Sequence, residues 1–152
     1  MYILKIGVIG TSKKVDERRF PIHPEHLSRI PETLRKQLIF EQGYGEPFGI
    51  SDAEIAALSG GIATRHELLA DVRTVIIAKP VLADLQELRE GGTLWGYVHC
   101  VQQAEITQAA IDRKQTLLAF EDMFIWAPNG QVGRHTFYKN NEMAGYCAVI
   151  HS

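Results

Sequence analysis

The stretch KIGVIGTSKKVDERRFPIHPEHL, residues 5–27, decides how the fold is read. Its first six residues are short, apolar and bounded by turn formers, as a strand buried on both faces would be. His23 and Pro24 then read as an N-cap followed by Pro at the first helical position, where a missing N–H is no loss. Leu27 and Ile30 share one face of that helix, and Pro31 marks its stop. Between strand and helix stand two adjacent arginines, Arg18 and Arg19. A buried strand, a charged loop and a helix in that order open a parallel α/β sheet.

The rest of the chain repeats the alternation. LIFEQG (38–43), TVIIAK (74–79), TLWGYV (93–98) and TLLAFED (116–122) each read as a further strand buried on both faces. SDAEIAAL begins at Ser51 with Glu54 three residues on, a capping-box pattern leading into Ile55 and Leu58. Leu82, Leu85 and Leu88, then Ile106, Ala109 and Ala110, recur at helical spacing. The expected fold is a doubly wound α/β domain, a parallel sheet flanked by helices on both faces, of Rossmann or flavodoxin type. No internal repeat or low-complexity linker interrupts it.

Composition narrows the function classes. With 152 residues, 45% hydrophobic and 22% charged, the chain can bury the core of one domain. Sixteen Lys and Arg against eighteen Asp and Glu give a net charge of −2 without long runs of either sign. That balance argues against nucleic acid or an anionic membrane as the partner. No apolar run reaches the roughly 18–20 residues of a membrane span, and MYILKIGVIG lacks the features of a secretory signal. The expected location is the cytoplasm. Cys100 and Cys147 stand far apart without metal-ligand spacing, so reduced thiols and no structural zinc are expected.

Ligands of open α/β sheets bind outside the carboxyl ends of the strands. The residues there are Arg18 and Arg19 after the first strand, Lys79 after the third, His99 after the fourth, and Glu121 and Asp122 after the fifth. An Arg fork holds a carboxylate through two parallel hydrogen bonds, a Lys polarises a carbonyl oxygen, and a His moves a proton near neutral pH. Together they describe a site for a small carboxylate bearing a keto, amino or imine carbon. Each also has a structural reading. Asp16 and Glu17 are ready acceptors for Arg18, Lys79 before Pro80 fits a solvated strand end, and His99 after LWGYV fits a hydrogen-bonded structural residue.

The ordered segments ERRFPIHP, GYGEPFGISDAE, VIIAKP, LWGYVH, AFEDM and NNEMAG resemble the amino-terminal domain of the alanine dehydrogenase and pyridine nucleotide transhydrogenase family, to which saccharopine dehydrogenase also belongs. GRHTFYKNNEMAG and YVHCVQ look closest to the opine-forming branch typified by N-carboxyethyl-ornithine synthase. The resemblance implies a domain that binds an amino or keto acid while a second, dinucleotide-binding domain supplies NAD(H) or NADP(H). It implies Arg19 as the carboxylate-binding arginine, Lys79 as a substrate-contacting and catalytic lysine, and His99 as the acid/base. Arg134 is expected to hold the second carboxylate of a larger, opine-type product. Asn140 and Asn141 replace more apolar residues of the alanine enzymes, which counts against alanine itself as substrate.

One departure from that family pattern matters. No G-x-G-x-x-G follows a strand: GVIGTSKK lacks the third glycine, GGIATR lacks it too and has no preceding strand, and the glycines of GYGEPFGI read as turn glycines. The expectation is therefore a substrate-binding domain over residues 1–139, with 140–152 beginning the helix toward a missing nucleotide-binding domain. This chain alone binds no cofactor, and NAD(P)H is implied for a partner or missing domain. The alternative is a stand-alone, non-redox binding or interaction module. Apolar residues in YCAVIHS lead to an expected exposed patch and homo-oligomer. Trp95 is expected to fill the core, with Tyr97 or Trp126 as a substrate wall.

Overall fold

The computed structural model describes residues 4–151. The first strand, β1 (Ile6–Ile9), leads through a long loop into a 3₁₀ segment, Pro24–Arg29, whose N-cap His23 accepts the Glu25 amide through Nδ1 at 3.3 Å. Helix α1 (Glu32–Arg35) and strand β2 (Leu38–Glu41) follow. Helix α2 (Asp52–Leu58) starts on the expected capping box, in which Ser51 and Glu54 bond each other reciprocally. Strand β3 (Gly61–Ala63), helix α3 (Arg65–Asp71) and strand β4 (Thr74–Ile77) come next. The series closes with α4 (Leu82–Glu87), β5 (Thr93–Gly96), α5 (Ala104–Asp112) and β6 (Thr116–Ala119).

These six strands form one parallel sheet in the order β3-β2-β1-β4-β5-β6. Side chains alternate along the strands and divide the core in two. Ile9, Val75, Ile77 and Leu94 pack against Leu68, Leu85 and Ile106 of the helices on one face. Val8, Phe40 and Ile76 pack against Leu27, Tyr44, Ile55 and Phe120 on the other. Each fully buried aliphatic or aromatic side chain of this kind stabilises the fold by about 1.5–3 kcal/mol. The α/β class and the parallel sheet are as expected from the sequence.

Four details differ. β3 was not expected: it is three residues long and opens on a glycine, too little to register as an apolar run. Lys79, His99 and Glu121 therefore follow the fourth, fifth and sixth strands. α3 has a capping box of its own, Thr64 with Glu67, which went unread. β6 is an edge strand with Leu118 exposed rather than a strand buried on both faces, and residues 120–122 form a 3₁₀ turn instead of extending it.

After that turn, β7 (Phe124–Trp126) and β8 (Val132–His135) form a separate antiparallel hairpin, also unexpected, closed by a turn in which Gly130 takes φ 78°. The last element, α6 (Tyr138–Ile150), starts two residues before the expected 140. Met143, Tyr146 and Ile150 on it are 66%, 63% and 77% exposed, so the apolar patch expected there is at the surface. Among the described residues no helix is long and apolar enough to cross a membrane.

Candidate functional site

β1 and β4 are adjacent, yet the chain leaves them in opposite directions: β2 and β3 lie beyond β1, β5 and β6 beyond β4. This reversal opens a crevice at their carboxyl ends, the usual ligand position of such sheets. Gly96 allows the crevice to form on the β5 side. A Cβ there would collide with the carbonyl of Ile77, so only glycine lets the end of β5 lie against the end of β4. The Tyr97 amide then bonds the Ala78 carbonyl at 3.1 Å, which sets Tyr97 beside Lys79.

Arg19 reaches the crevice from the β1 loop, its guanidinium carbon 5.9 Å from the centroid of the Tyr97 ring. The Tyr97 ring in turn lies parallel to that of His99, with centroids 6.2 Å apart. His99 has a left-handed backbone, φ 48°, unusual for a non-glycine residue. That conformation aims its amide at the Glu121 carboxylate, which it hydrogen-bonds, while its Nδ1 lies 3.8 Å from the same oxygen. His135, from the hairpin, places Nε2 3.2 Å from the Glu121 carbonyl oxygen. Arg19, Lys79, His99 and Glu121 are thus brought together as expected. Glu17, Tyr97 and His135 join them, and Tyr97 had been foreseen only as a substrate wall.

Two atoms in this group are buried without a hydrogen-bond partner, the Tyr97 hydroxyl and the Glu121 Oε2. Arg35 Nε, Arg113 Nε and Gln115 Oε1 are unpaired elsewhere among the described residues, but only in this crevice do two such atoms stand beside Arg19, Lys79 and His99. Burial, then the nearby Arg19 charge, lowers the pKa of Lys79 below that of an ordinary lysine. Burial raises the pKa of the Tyr97 phenol, keeping it a neutral donor.

The Arg19 fork is itself engaged. Nε and one terminal nitrogen bond the two oxygens of Glu17 at 2.7 and 2.6 Å. Those bonds, ahead of the Lys14 ammonium at 3.3 Å, lower the pKa of Glu17 to about 2. The Arg19 fork thus holds a carboxylate through two parallel hydrogen bonds, that of its own loop. The sequence offers Asp16 and Glu17 as partners for Arg18; in the structure Glu17 pairs with Arg19 instead. The Glu17 carboxylate folds back over the following residues, accepting the Arg18 and Arg19 amides at 3.2 and 3.0 Å, and this turns it toward the Arg19 guanidinium.

Arg134 is not brought into the group. It is exposed on the hairpin, its guanidinium 4.0 Å from the centroid of the Tyr138 ring, and its neighbour His135 is the residue that turns inward. Trp126 is 59% exposed on the same hairpin, and Trp95 packs edge-on against Phe120 in the core.

The loop directly after β1 is where this fold would receive a dinucleotide phosphate on free amides. Here the amides of Gly10 and Thr11 each donate to Glu41 at 2.9 Å, and that of Lys13 donates to Asp84 at 3.0 Å. Asp84 also accepts from the Val81 amide at 2.8 Å and from Arg65 at 2.6 Å. The Glu41 and Asp84 carboxylates already hold these amides, and their negative charges would repel a phosphate. The residues present do not fit a dinucleotide phosphate.

Comparison with known proteins places these features in a family. The family model for the alanine dehydrogenase/PNT N-terminal domain matches residues 8–129. An N(5)-(carboxyethyl)ornithine synthase of Clostridium botulinum is 26% identical over 152 residues, covering 90% of this chain and 45% of the synthase. An alanine dehydrogenase of Lysinibacillus sphaericus is 31% identical over 121 residues, covering 78% of this chain and 32% of that enzyme. Among solved structures, an L-alanine dehydrogenase superposes with a TM-score of 0.64 at 19% identity, covering 84% of this chain and 35% of its own. A transhydrogenase from Sinorhizobium meliloti gives 0.62 at 16% identity, covering 78% and 35%. The chain spans less than half the length of these relatives. By the extent of the family match, this chain belongs to the alanine dehydrogenase/PNT N-terminal domain family.

Proposed function

We propose that this domain binds the carboxylate of a 2-keto acid, an amino acid or the opine formed from the two, as the substrate half of an NAD(P)-dependent amino-acid or opine dehydrogenase or synthase. The observation that carries the reading is the crevice between β1 and β4, where Arg19, Lys79, His99 and Glu121 converge around two unpartnered buried polar atoms. The incoming carboxylate displaces Glu17 from the Arg19 fork. Lys79 then donates to the carbonyl or imine acceptor, with the Tyr97 hydroxyl as a second donor. His99, its amide held by Glu121, moves a proton to or from the substrate nitrogen or oxygen. A dinucleotide held by a second domain or chain would supply hydride. The helix α6 is the segment that would lead toward such a domain, and its exposed apolar residues would serve docking or self-association.

A second reading is a stand-alone binding module without redox chemistry. The occupied amides at Gly10, Thr11 and Lys13 favour it, because they leave the loop after β1 without free donors for a phosphate. Calorimetric titration of the 152-residue chain with pyruvate, 2-oxoglutarate, alanine, ornithine, NADH and NADPH tests both. Saturable binding of a small carboxylate, abolished by Arg19→Ala, is the expected result. No binding by the wild type, or undiminished binding by the variant, would remove Arg19 from the proposed role. Saturable nucleotide binding would overturn the absence of a cofactor site.

A further inference from the structure

Both ring nitrogens of His135 are engaged. The Phe137 amide donates to Nδ1 at 3.1 Å, and Nε2 lies 3.2 Å from the carbonyl oxygen of Glu121. An amide N–H donates and a carbonyl oxygen accepts, so the ring that satisfies both is neutral and carries its proton on Nε2. Phe124 and Phe137 flank it, with centroids 5.1 and 6.0 Å away. The Thr136 amide donates to the Met123 carbonyl at 2.8 Å and so holds the end of β8 beside the 3₁₀ turn that contains Glu121.

The two partners of this ring lead to different places. Phe137 is the N-cap of α6, and its carbonyl accepts the Asn140 and Asn141 amides of the first turn at 3.0 and 3.4 Å. No residue of α6 is buried, so the direction in which the helix leaves the domain is set at that first turn. Glu121 leads the other way, into the crevice. Its carboxylate holds the His99 amide, and His99 Nδ1 lies 3.8 Å from the same oxygen. One imidazole thus joins the start of α6 to the backbone of Glu121, and Glu121 joins His99. Phe137 adds an apolar contact along the same line, its ring 4.7 Å from that of Phe120 and 5.8 Å from that of Tyr97.

We propose that His135 is a positioning residue that couples α6 to the crevice. Its neutral ring fixes the Glu121 backbone to the helix N-cap, so that a tilt of α6 carries the Glu121 carboxylate, and with it His99. By linkage, a ligand that holds His99 in place also holds the start of α6. This role rests on the reading of His99 as the proton-moving group, and extends it: the position of whatever α6 carries is felt at the site through one histidine that touches no substrate.

Three substitutions separate the two bonds. A glutamine amide reaches the place of Nε2 and an asparagine amide the place of Nδ1. His135→Gln therefore keeps a donor for the Glu121 carbonyl, His135→Asn keeps an acceptor for the Phe137 amide, and His135→Phe keeps a ring and neither bond. Imidazole nitrogen resonances, amide exchange and calorimetric pyruvate titration of the 152-residue chain are the readouts. At mildly alkaline pH the wild-type His135 should show the Nε2–H tautomer. The His99 resonances should move in His135→Asn and His135→Phe but not in His135→Gln, and pyruvate should weaken about tenfold in the first two alone. Phe137 amide exchange should accelerate in His135→Gln and His135→Phe but not in His135→Asn. Saturating pyruvate should slow that exchange in the wild type and in none of the variants. An Nδ1–H ring, His99 resonances unmoved by all three substitutions, an equal loss in His135→Gln and His135→Phe, or Phe137 exchange as slow in His135→Phe as in the wild type would overturn the coupling. A wild type that binds no pyruvate would instead overturn the keto-acid reading, and the ligand-free His99 and Phe137 patterns would then uphold or overturn the coupling by themselves.

Discussion

In the loop after β1, the amides of Gly10, Thr11 and Lys13 all end on Glu41 or Asp84, and Arg65 bridges Asp84 to the Thr11 carbonyl at 2.8 Å. A few residues away, at the ends of β4 to β6, the Tyr97 hydroxyl and Glu121 Oε2 are equally buried and meet nothing. Both regions lie on the carboxyl edge of one sheet. In the first, Glu41 is met by two amides and the Thr11 hydroxyl and Asp84 by amides and Arg65, all inside the protein, as a structural network requires. In the second, positive groups converge and bonding capacity is left over, which is what a ligand site needs. Charge at a strand end is therefore a poor guide to function until its partners are counted.

The largest effect should come from breaking the closed network. Asp84 is fully buried and takes bonds from Lys13, Val81, Arg65 and Ser12. Asp84→Ala takes the acceptor from two amides and from one arm of the Arg65 fork, whose other arms keep Glu87 and Thr11, and should destabilise the fold by about 3–5 kcal/mol in urea titration. Carboxylate binding should fall as well. The single hydroxyl hydrogen of Ser12 is shared between the Lys79 carbonyl at 2.6 Å and Asp84 at 3.2 Å, and so ties the Arg19 loop to the Lys79 loop. A variant as stable as wild type would mean that the loop does not depend on this carboxylate.

Arg19→Ala should show the opposite pattern. The Arg19 side chain is 44% exposed, and Glu17 keeps the Arg18 and Arg19 amides and Lys14 when the guanidinium is removed, so the loss of stability should be smaller than for Asp84→Ala. Its removal should nevertheless weaken keto-acid binding by about 2–4 kcal/mol, or roughly 30-fold to 1000-fold. If binding and stability fell together, Arg19 would belong with the structural network and the contrast between the two regions would fail.

Acid titration sharpens the same contrast at smaller amplitude. Glu17 has a folded pKa of about 2 against an ordinary 4.5, because Arg19 and Lys14 favour its ionised form. A carboxylate shifted downward in this way stabilises fully above pH 4.5 and loses that contribution as pH falls toward about 2. The stability difference between wild type and Glu17→Gln should be present at pH 6 and vanish near pH 2. A difference unchanged by pH would show that Glu17 acts through packing and not through its charge.

The sheet was legible because five of its six strands are runs of apolar residues bounded by turns, and the capping box at Ser51 announced α2 directly. β3, led by Gly61, carried no such run. In the site, Arg19, Lys79 and His99 could be named because each follows a strand. The pairing of Glu17 could not, since Asp16, Glu17, Arg18 and Arg19 allow several ion pairs until the left-handed turn at Asp16, φ 58°, sets their sides. The roles of Glu41 and Asp84 were hidden for a similar reason. Each looks like an ordinary acid within its element, and only the approach of the β1 loop from elsewhere in the chain makes it an acceptor.

Tyr97 tests the open region with the least disturbance. Its ring lies between Arg19 and His99, while its hydroxyl is buried and unpaired, so the free domain carries a desolvated group without a bond. Tyr97→Phe keeps the ring and deletes the orphan, and should therefore raise the stability of the free protein by up to about 1 kcal/mol. With a keto acid bound, the same hydroxyl has an oxygen to meet, and its loss should weaken binding by about 0.5–1.5 kcal/mol. Measured by thermal unfolding with and without pyruvate, the variant should be the more stable protein alone and gain less from the ligand. Only a hydroxyl held ready for a ligand moves these two numbers in opposite directions; a core hydroxyl bonded to an unseen water would lower both.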